Sequence, residues 1–340
     1  MRGNAWYDAW YMQPLDFVAV GDCTVDEFIR LREARIENVD GSDERDICMT
    51  WGDKIPYEFS VLVPGVGNAA NAAVAAARLG LSTGFISNVG GDRNGEEILE
   101  VFKAEHVDPR FVRVNESLGT NHDYVLWYDA ERTILVKHED YPYAMPAELV
   151  PPKWLYLSSA GRSIPFHLEL AAWVKAHPSA KLAFQPSTFE MSLGTEPLAA
   201  LYEASELVAL NKEEAERVLS LPPTPVETLL EKMRALGPRI ALITDGPNGA
   251  YISDGTERFK IPMYPDPKPP YDRTGAGDAT TSTIVVALAL GLSLEDALEW
   301  GPINAMAVVQ EIGAQKGLLS REKLEELLAN APETYRSAAF

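Results

Sequence analysis

Cysteine is scarce in this chain: two, Cys23 and Cys48, among 340 residues. Two thiols cannot build a disulfide framework, so a reducing compartment, the cytoplasm, is expected. Histidine is also thin. His106, His122, His138, His167 and His177 show none of the spacings that ligate transition metals. No apolar run approaches the roughly 20 residues that span a bilayer. The first fifteen residues, MRGNAWYDAWYMQPL, have no continuous apolar core and do not read as a signal peptide. Basic charge is the other deficit: 30 Lys and Arg face 50 Asp and Glu, a formal net charge of -20. That surface repels polyphosphate backbones and acidic lipid, so nucleic acid and membranes are not expected partners. A small anion in a local electropositive pocket stays possible.

Hydrophobic residues make up 46% of the chain and charged residues 24%, an ordinary globular balance. Buried-strand runs such as LDFVAVGD, TGFISNVGGD, WLYLSS, KLAFQ, LVAL and IALITDG alternate with helical stretches at 165–177, 195–203, 212–220 and 226–236. Three more helices are expected at 277–291, 294–311 and 320–329. This alternation predicts an α/β fold, a mostly parallel sheet with helices on both faces. Two regions do not fit it. Residues 24–60 are mixed, with a short strand candidate in ICMTWGD, and 118–140 hold the hairpin pattern DYVLWY-DAE-RTILVKH. Both read as a small β lid over the carboxyl ends of the strands, where such sheets bind ligands. Within the hairpin, Trp127, Tyr128 and His138 read first as packing residues.

Two stretches compete for the chemistry. Gly65-Val66-Gly67-Asn68-Ala69-Ala70 fits G-x-G-x-x-G/A, the glycine pattern of a dinucleotide-binding turn, and on that reading the protein is an NAD-dependent oxidoreductase. Small residues at that spacing recur often by chance, and Pro64 interrupts the strand that should lead into the turn. The second stretch, YDRTGAGDATTSTIVVALALGL, places Gly275-Ala276-Gly277-Asp278 between a Pro-rich loop and a long apolar helix. Glycines there let consecutive N–H groups point at one spot at a helix N-terminus, an anion site suited to phosphate. Asp278 in the first turn is held beside that site, where a general base for an attacking alcohol belongs. Capping alone would not require the glycines, nor Asp272 and Thr274 alongside. The Walker A pattern G-x-x-x-x-G-K-[ST] is absent, so phosphate binding falls to Gly275–Gly277.

DRTGAGD resembles the D-T-x-G-A-G-D signature of the ribokinase-like, or PfkB, carbohydrate and nucleoside kinases, and further landmarks follow in chain order. GDCTVDEF resembles the end of the family's first strand, which implies that Asp26 binds substrate hydroxyls. VGNAANAAVAAARLG resembles the first signature, with Gly67 as the second hinge glycine and Asn71 as a substrate contact. VGGDRNG matches the V-G-x-D-x-x-G turn. LNKEEAERVL carries N-x-x-E at Asn211 and Glu214, which implies a nucleotide contact and a water-mediated magnesium contact; a plain helix cap is the equal alternative. LITDGPNGAYI implies nucleotide contacts at Thr244, Gly246 and Gly249, Thr274 lies in the motif itself, and INAMAVVQEIGA places Asn304 beside the adenine. The sequence departs from the family at Val66, Arg273, Thr280 and Gln185, where a glycine, a threonine, a phenylalanine and an aspartate are usual.

The resemblance implies a three-layer αβα doubly wound sheet over residues 16–335, with lid segments at about 24–60 and 118–140 and an N-terminal extension at 1–15. It also implies ATP and Mg2+, leaves a monovalent cation open, and gives a homodimer through the β lid as an expectation. The acceptor is then a hydroxymethyl group of a small sugar, with a nucleoside as the alternative.

Overall fold

Residues 14–39, 45–129 and 131–340 are described by a computed structural model, so most of the expected N-terminal extension, residues 1–13, lies outside the described residues. The chain enters through β1 (Phe17–Val20), buried on both sides. It then leaves the central sheet for β2 (Thr24–Leu31), the antiparallel pair β3 (Arg35–Asn38) and β4 (Arg45–Cys48), and β5 (Tyr57–Val66). Next come α1 (Asn68–Arg78), β6 (Thr83–Gly90), α2 (Arg93–Ala104), β7 (Val107–Asp108) and β8 (Val112–Asn115). The hairpin of β9 (His122–Tyr128) and β10 (Glu131–Leu135) follows. Strands and helices then alternate through β11 (Trp154–Leu157), α3 (Ile164–Ala176), β12 (Lys181–Phe184), α4 (Thr188–Leu193), α5 (Ala199–Ala204) and β13 (Leu207–Asn211). The last part runs α6 (Lys212–Val218), α7 (Val226–Arg234), β14 (Ile240–Thr244), β15 (Ala250–Ser253), β16 (Arg258–Ile261), α8 (Ala276–Ala289), α9 (Leu294–Val308), α10 (Arg321–Ala329) and β17 (Ala338–Ala339).

The central sheet runs β17-β16-β15-β14-β13-β12-β11-β1-β6-β7, with β8 also on β6. Pairing is parallel from β7 to β14 and antiparallel at the β14–β17 edge. Alternation along β1 shows why both faces must be covered. Phe17 and Ala19 join a core with α1, α8 and α9, whereas Val18 and Val20 join one with α3, α5 and α7. This is the expected three-layer αβα arrangement. Ala69–Ala76 in α1 are all buried, Asn71 among them, and their small side chains let α1 pack closely on α8.

β1 lies between β6, which the chain visits next within this sheet, and β11, to which it returns later. That is a switch in strand order, the place where open α/β sheets leave a crevice beyond their carboxyl ends. A second sheet, β10-β9-β2-β5, supplies the expected β outgrowth. Its β2 and β9 pair in parallel, and β5 is the edge strand, where Pro64 is tolerated.

The oxidoreductase reading fails at this point. A dinucleotide turn needs its glycines to follow a strand of the parallel sheet, but Gly65 and Val66 close β5 of the small antiparallel edge. Two local expectations also shift. The helix expected over 195–203 begins at Ala199, because Gly194 and Pro197 break the run. An earlier helix, α4, starts at Thr188 behind the N-cap Ser187, whose capping box with Glu190 satisfies both backbone and side chain. In ICMTWGD only the residues up to Cys48 are paired.

Candidate active site

Successive strand ends meet at one cleft. Asp22 follows β1, Ser159 follows β11, Gln185 follows β12, Asn211 closes β13 and Thr244 closes β14. All five line a cavity of about 320 Å³. The start of α1 adds Gly67, Asn68 and Asn71; the start of α8 adds Thr274 to Asp278; and the small sheet adds Asp26, Asp123, Arg132 and His138. The order of the strands therefore sets an axis, from the β1–β12 end to the β13–β14 end.

The α8 end is built around a glycine that no other residue can replace. Gly275 caps the helix with φ of 79°, and a Cβ there would lie 2.3 Å from the Ala314 side chain. Asp272 fixes the turn before it: one carboxylate oxygen accepts from Thr274 N–H at 2.9 Å and Thr274 Oγ1 at 2.6 Å, the other from Gly313 N–H at 2.8 Å. The amides of Gly275, Ala276 and Gly277 are thereby free of side-chain caps at the helix N-terminus, where the dipole favours an anion.

Asp278 sits one turn in, at the middle of the cleft. Asn71 Nδ2 donates to its Oδ2 at 2.9 Å and Gln185 Nε2 to its Oδ1 at 3.0 Å. Each amide is itself held. Gln315 donates to Asn71 Oδ1 at 3.0 Å and to the Gly65 carbonyl at 2.7 Å, and the Tyr156 hydroxyl donates to Gln185 Oε1. Burial raises the Asp278 pKa above the usual carboxylate value, while the two amides pull it back. The result is an oriented carboxylate with raised basicity, facing open cavity.

At the other end Asp26 in β2 and Asp123 in β9 are direct neighbours across the parallel pair. His138 stands between Asp123 and Asp22, with Nδ1 2.8 Å from Asp22 and Nε2 3.1 Å from Asp123. Gly67 abuts Asp22; a Cβ there would approach the Asp22 carbonyl to 3.2 Å.

Asn211 and Glu214 form the reciprocal capping box of α6, as the cap reading expects, and both also line the cleft. One Glu214 oxygen accepts from Asn211 N–H and the other remains for a ligand. Among the described residues no cluster of three acidic, histidine or cysteine side chains forms a protein-only metal cage. Gly246 lies in the turn just past Thr244, off the cleft wall. Gly249 is a glycine for packing, since a Cβ there would lie 1.9 Å from the Ile261 carbonyl oxygen. Asn304 requires a correction. It does not face the cleft but is fully buried, donating to Thr283 Oγ1 at 2.8 Å and accepting from Leu319 N–H at 2.9 Å.

Motif reasoning did not find Asp22, Asp123, Arg132, Gln315 or the position of His138. Gln185 appeared there only as a missing carboxylate, whereas its amide is what reaches Asp278. Asp22 alone carried a local signal, an acid directly after Gly21 at the end of a buried strand.

Comparison with known proteins converges on one family. The model of the pfkB family carbohydrate kinases matches residues 60–321. A ribokinase of Bacillus subtilis (strain 168) is 30% identical over 307 residues, covering 85% of this chain and 98% of that protein. A 5-dehydro-2-deoxygluconokinase of Clostridium perfringens is 25% identical over 291 residues, covering 79% and 85%. In fold, the chain is similar to the structure of Arabidopsis thaliana ribokinase complexed with ribose and ATP, at a TM-score of 0.79 and 21% identity over 93% of this chain and 99% of that one.

Proposed function

The chain belongs to the pfkB family of carbohydrate kinases, and we propose that it transfers the γ-phosphoryl group of ATP to a hydroxymethyl group of a small sugar. One observation carries the reading: a half-buried carboxylate oriented by two amides, Asp278, lies in the same helical turn as the amides of Gly275–Gly277, which no side chain caps. Asp278 takes the proton of the attacking hydroxyl, and its raised pKa makes it the stronger base. The amides of Gly275, Ala276 and Gly277 donate to charge on the transferring phosphoryl group. Asp26 and Asn71 hold acceptor hydroxyls beside Gly67. Thr244, Asn211, Arg273 and Thr274 border the ATP end of the cleft.

Glu214, with one oxygen accepting from Asn211 N–H, would hold magnesium through water by its other oxygen, and the ion would supply charge neutralisation to the ATP phosphates. The small sheet acts as the lid that excludes water from the acceptor. Its outer face, with Leu62, Tyr124 and Leu135 exposed, is the surface on which a second copy pairs.

The test is ADP release from Mg-ATP with a panel of sugars and nucleosides, run on wild type and Asp278→Asn. The expected result is one acceptor class that turns over, with kcat falling about 10²–10⁴-fold in the variant. Turnover of nucleosides alone moves the substrate to that alternative. Unchanged kcat in Asp278→Asn removes the general base from the mechanism.

A further inference from the structure

Glu190 is a carboxylate with only 1% of its surface exposed, beside a fully buried His167, and neither lines the cleft. Its place in the capping box of α4 accounts for one oxygen: Oε2 accepts from Ser187 N–H at 3.0 Å and from the Ser187 hydroxyl. Oε1 reaches out of the helix. It accepts from Ala160 N–H at 2.7 Å, in the turn after β11, and faces His167 Nε2 at 3.4 Å. His167 Nδ1 lies 2.7 Å from the Ser163 carbonyl oxygen, so the ring is held from both sides. Glutamine serves a capping box as well as glutamate does, so the cap alone gives no reason to bury a charge. Burial alone would raise the Glu190 pKa, but the bonds from His167 and Ser187 outweigh it and hold the carboxyl below its ordinary value.

The two oxygens hold the turns that orient two carboxylates of the cleft. Ser159, directly before Ala160, has φ of 56°, a left-handed conformation that a residue with a side chain adopts at a cost. In that conformation its carbonyl accepts from Asp22 N–H and its hydroxyl donates to Asp22 Oδ2, both at 2.8 Å. In the other turn, Ser187 lies two residues past Gln185. The Gln185 side chain donates to Asp278 at 3.0 Å, and its N–H donates to the Leu157 carbonyl at 2.9 Å. Phe189, next to Glu190, packs on the His138 ring with 5.4 Å between centroids, and His138 bonds Asp22 in turn. One turn thus orients Asp22, the other orients Asp278, and one buried carboxylate bonds to both.

We infer that Glu190 is a positioning residue for phosphoryl transfer: by accepting from Ala160 and Ser187 together, it fixes the acceptor end at Asp22 relative to the base Asp278. A carboxylate can do this because both of its oxygens accept. An amide has one accepting oxygen and can serve one turn but not both. The inference rests on the sugar-kinase reading and adds to it a residue outside the cleft.

The test compares wild type, Glu190→Gln, Ser159→Gly and the double variant, using the sugar that wild type turns over best. Sugar KM and kcat are read from ADP release with Mg-ATP, alongside ADP affinity and melting temperature. Glu190→Gln keeps the size of the side chain and a group able to cap α4. It is expected to raise sugar KM about 10-fold and lower kcat about 10-fold, the combined 10²-fold cost of a misplacement of about 1 Å, with ADP affinity unchanged. A variant that only loses folded protein lowers kcat and leaves sugar KM as it was. Ser159→Gly releases the left-handed turn. Because Glu190 reaches Asp22 through that turn, the double variant is expected to have the sugar KM of the worse single variant and not the product of the two effects. Wild-type KM and kcat in Glu190→Gln, or multiplied KM effects in the double variant, overturn the inference while the kinase reading stands. If Glu190→Gln does not fold, His167→Gln decides in its place. The loosened carboxylate should then raise sugar KM by about 3-fold or more, and a wild-type sugar KM overturns the inference. Absence of ADP release by wild type with every sugar strikes the kinase reading itself, and the inference falls with it.

Discussion

Asp26 shows how a single residue can trade stability for function. Its carboxyl is raised to about 7 because it is buried beside Asp123 with no donor of its own. In the unfolded chain the same group ionises near its ordinary value of about 3.9. Folded protein therefore binds the proton more tightly, and the stabilisation this gives is present at low pH and lost as pH rises toward and through 7. Asp26→Asn removes the penalty. The variant is expected to melt higher than wild type, with a larger gain at pH 8 than at pH 5, on the order of 2 °C per kcal/mol relieved. Equal gains at both pH values would mean that Asp26 does not titrate in this range. Activity is expected to move the other way: kcat/KM for the acceptor falls about 10–100-fold, the loss of a hydrogen bond to a charged acceptor. In wild type kcat/KM should decline below pH 7 as Asp26 protonates, and that limb should vanish in the variant. Asp278, also raised by burial, is expected to set the acid limb of kcat if it is the general base, since only its carboxylate form accepts a proton.

At the level of elements, the sequence revealed whatever was local. The GAGD run announced both the turn and the helix behind it, because a glycine with positive φ and an acid in the first turn are adjacent in the chain. Partners from distant strands left no such trace. Gln185 and Asn71 reach Asp278 from the end of β12 and the start of α1, while Gln315, in the loop after α9, holds Asn71, and no local pattern links the three. Asn304 was misplaced for the opposite reason. It sits in the expected helix, but whether its amide faces a cleft or the Thr283 hydroxyl depends on helix rotation against α8. The two glycines of the α8 turn offer a paired test of the anion site. Gly275→Ala meets the Ala314 side chain and an unfavourable φ, so it is expected to lower the melting temperature and cut kcat by about 10²-fold or more, as when one oxyanion donor is lost. Gly277→Ala meets nothing within 4 Å and lies inside the helix, where alanine is better than glycine by about 1 kcal/mol. That variant is expected to be more stable than wild type yet to bind ADP more weakly, because the methyl enters the cleft. Thermal melts and ADP titration read the two effects separately. Unchanged ADP affinity in Gly277→Ala would move the phosphate away from this turn.

Across the whole molecule, alternating strands and helices made the parallel sheet legible, and the hairpin pattern of 122–135 made half of the lid legible. The lid's other half depended on β2 joining β9 in parallel, strands almost a hundred residues apart, and no composition signal marks that pairing. The pairing matters because it ties the two ends of the cleft together. The inner face of the small sheet carries Asp26 and Asp123 into the cleft, while Trp127 meets Tyr271 edge-on at 5.1 Å and Arg132 approaches Asp272, both just ahead of the glycines of the α8 turn. The outer face presents Leu62, Tyr124 and Leu135, each at least 43% exposed, in one row that Glu27 of β2 completes between Tyr124 and Leu62. Strands β5 and β10 at its two edges also present unpaired backbone groups, which favour strand-to-strand association. Burying that face against its symmetric copy would hold the lid rigid over the acceptor. Wild type is accordingly expected to sediment as a dimer at micromolar concentration, and the double variant Leu62→Lys, Leu135→Lys as a monomer. Because the lid also braces Tyr271 and Asp272, the monomer should show a raised KM for the sugar with ADP affinity little changed. A wild type that sediments as a monomer, or a monomeric variant with the wild-type KM, would show that the lid keeps its position through Trp127 and Arg132 alone.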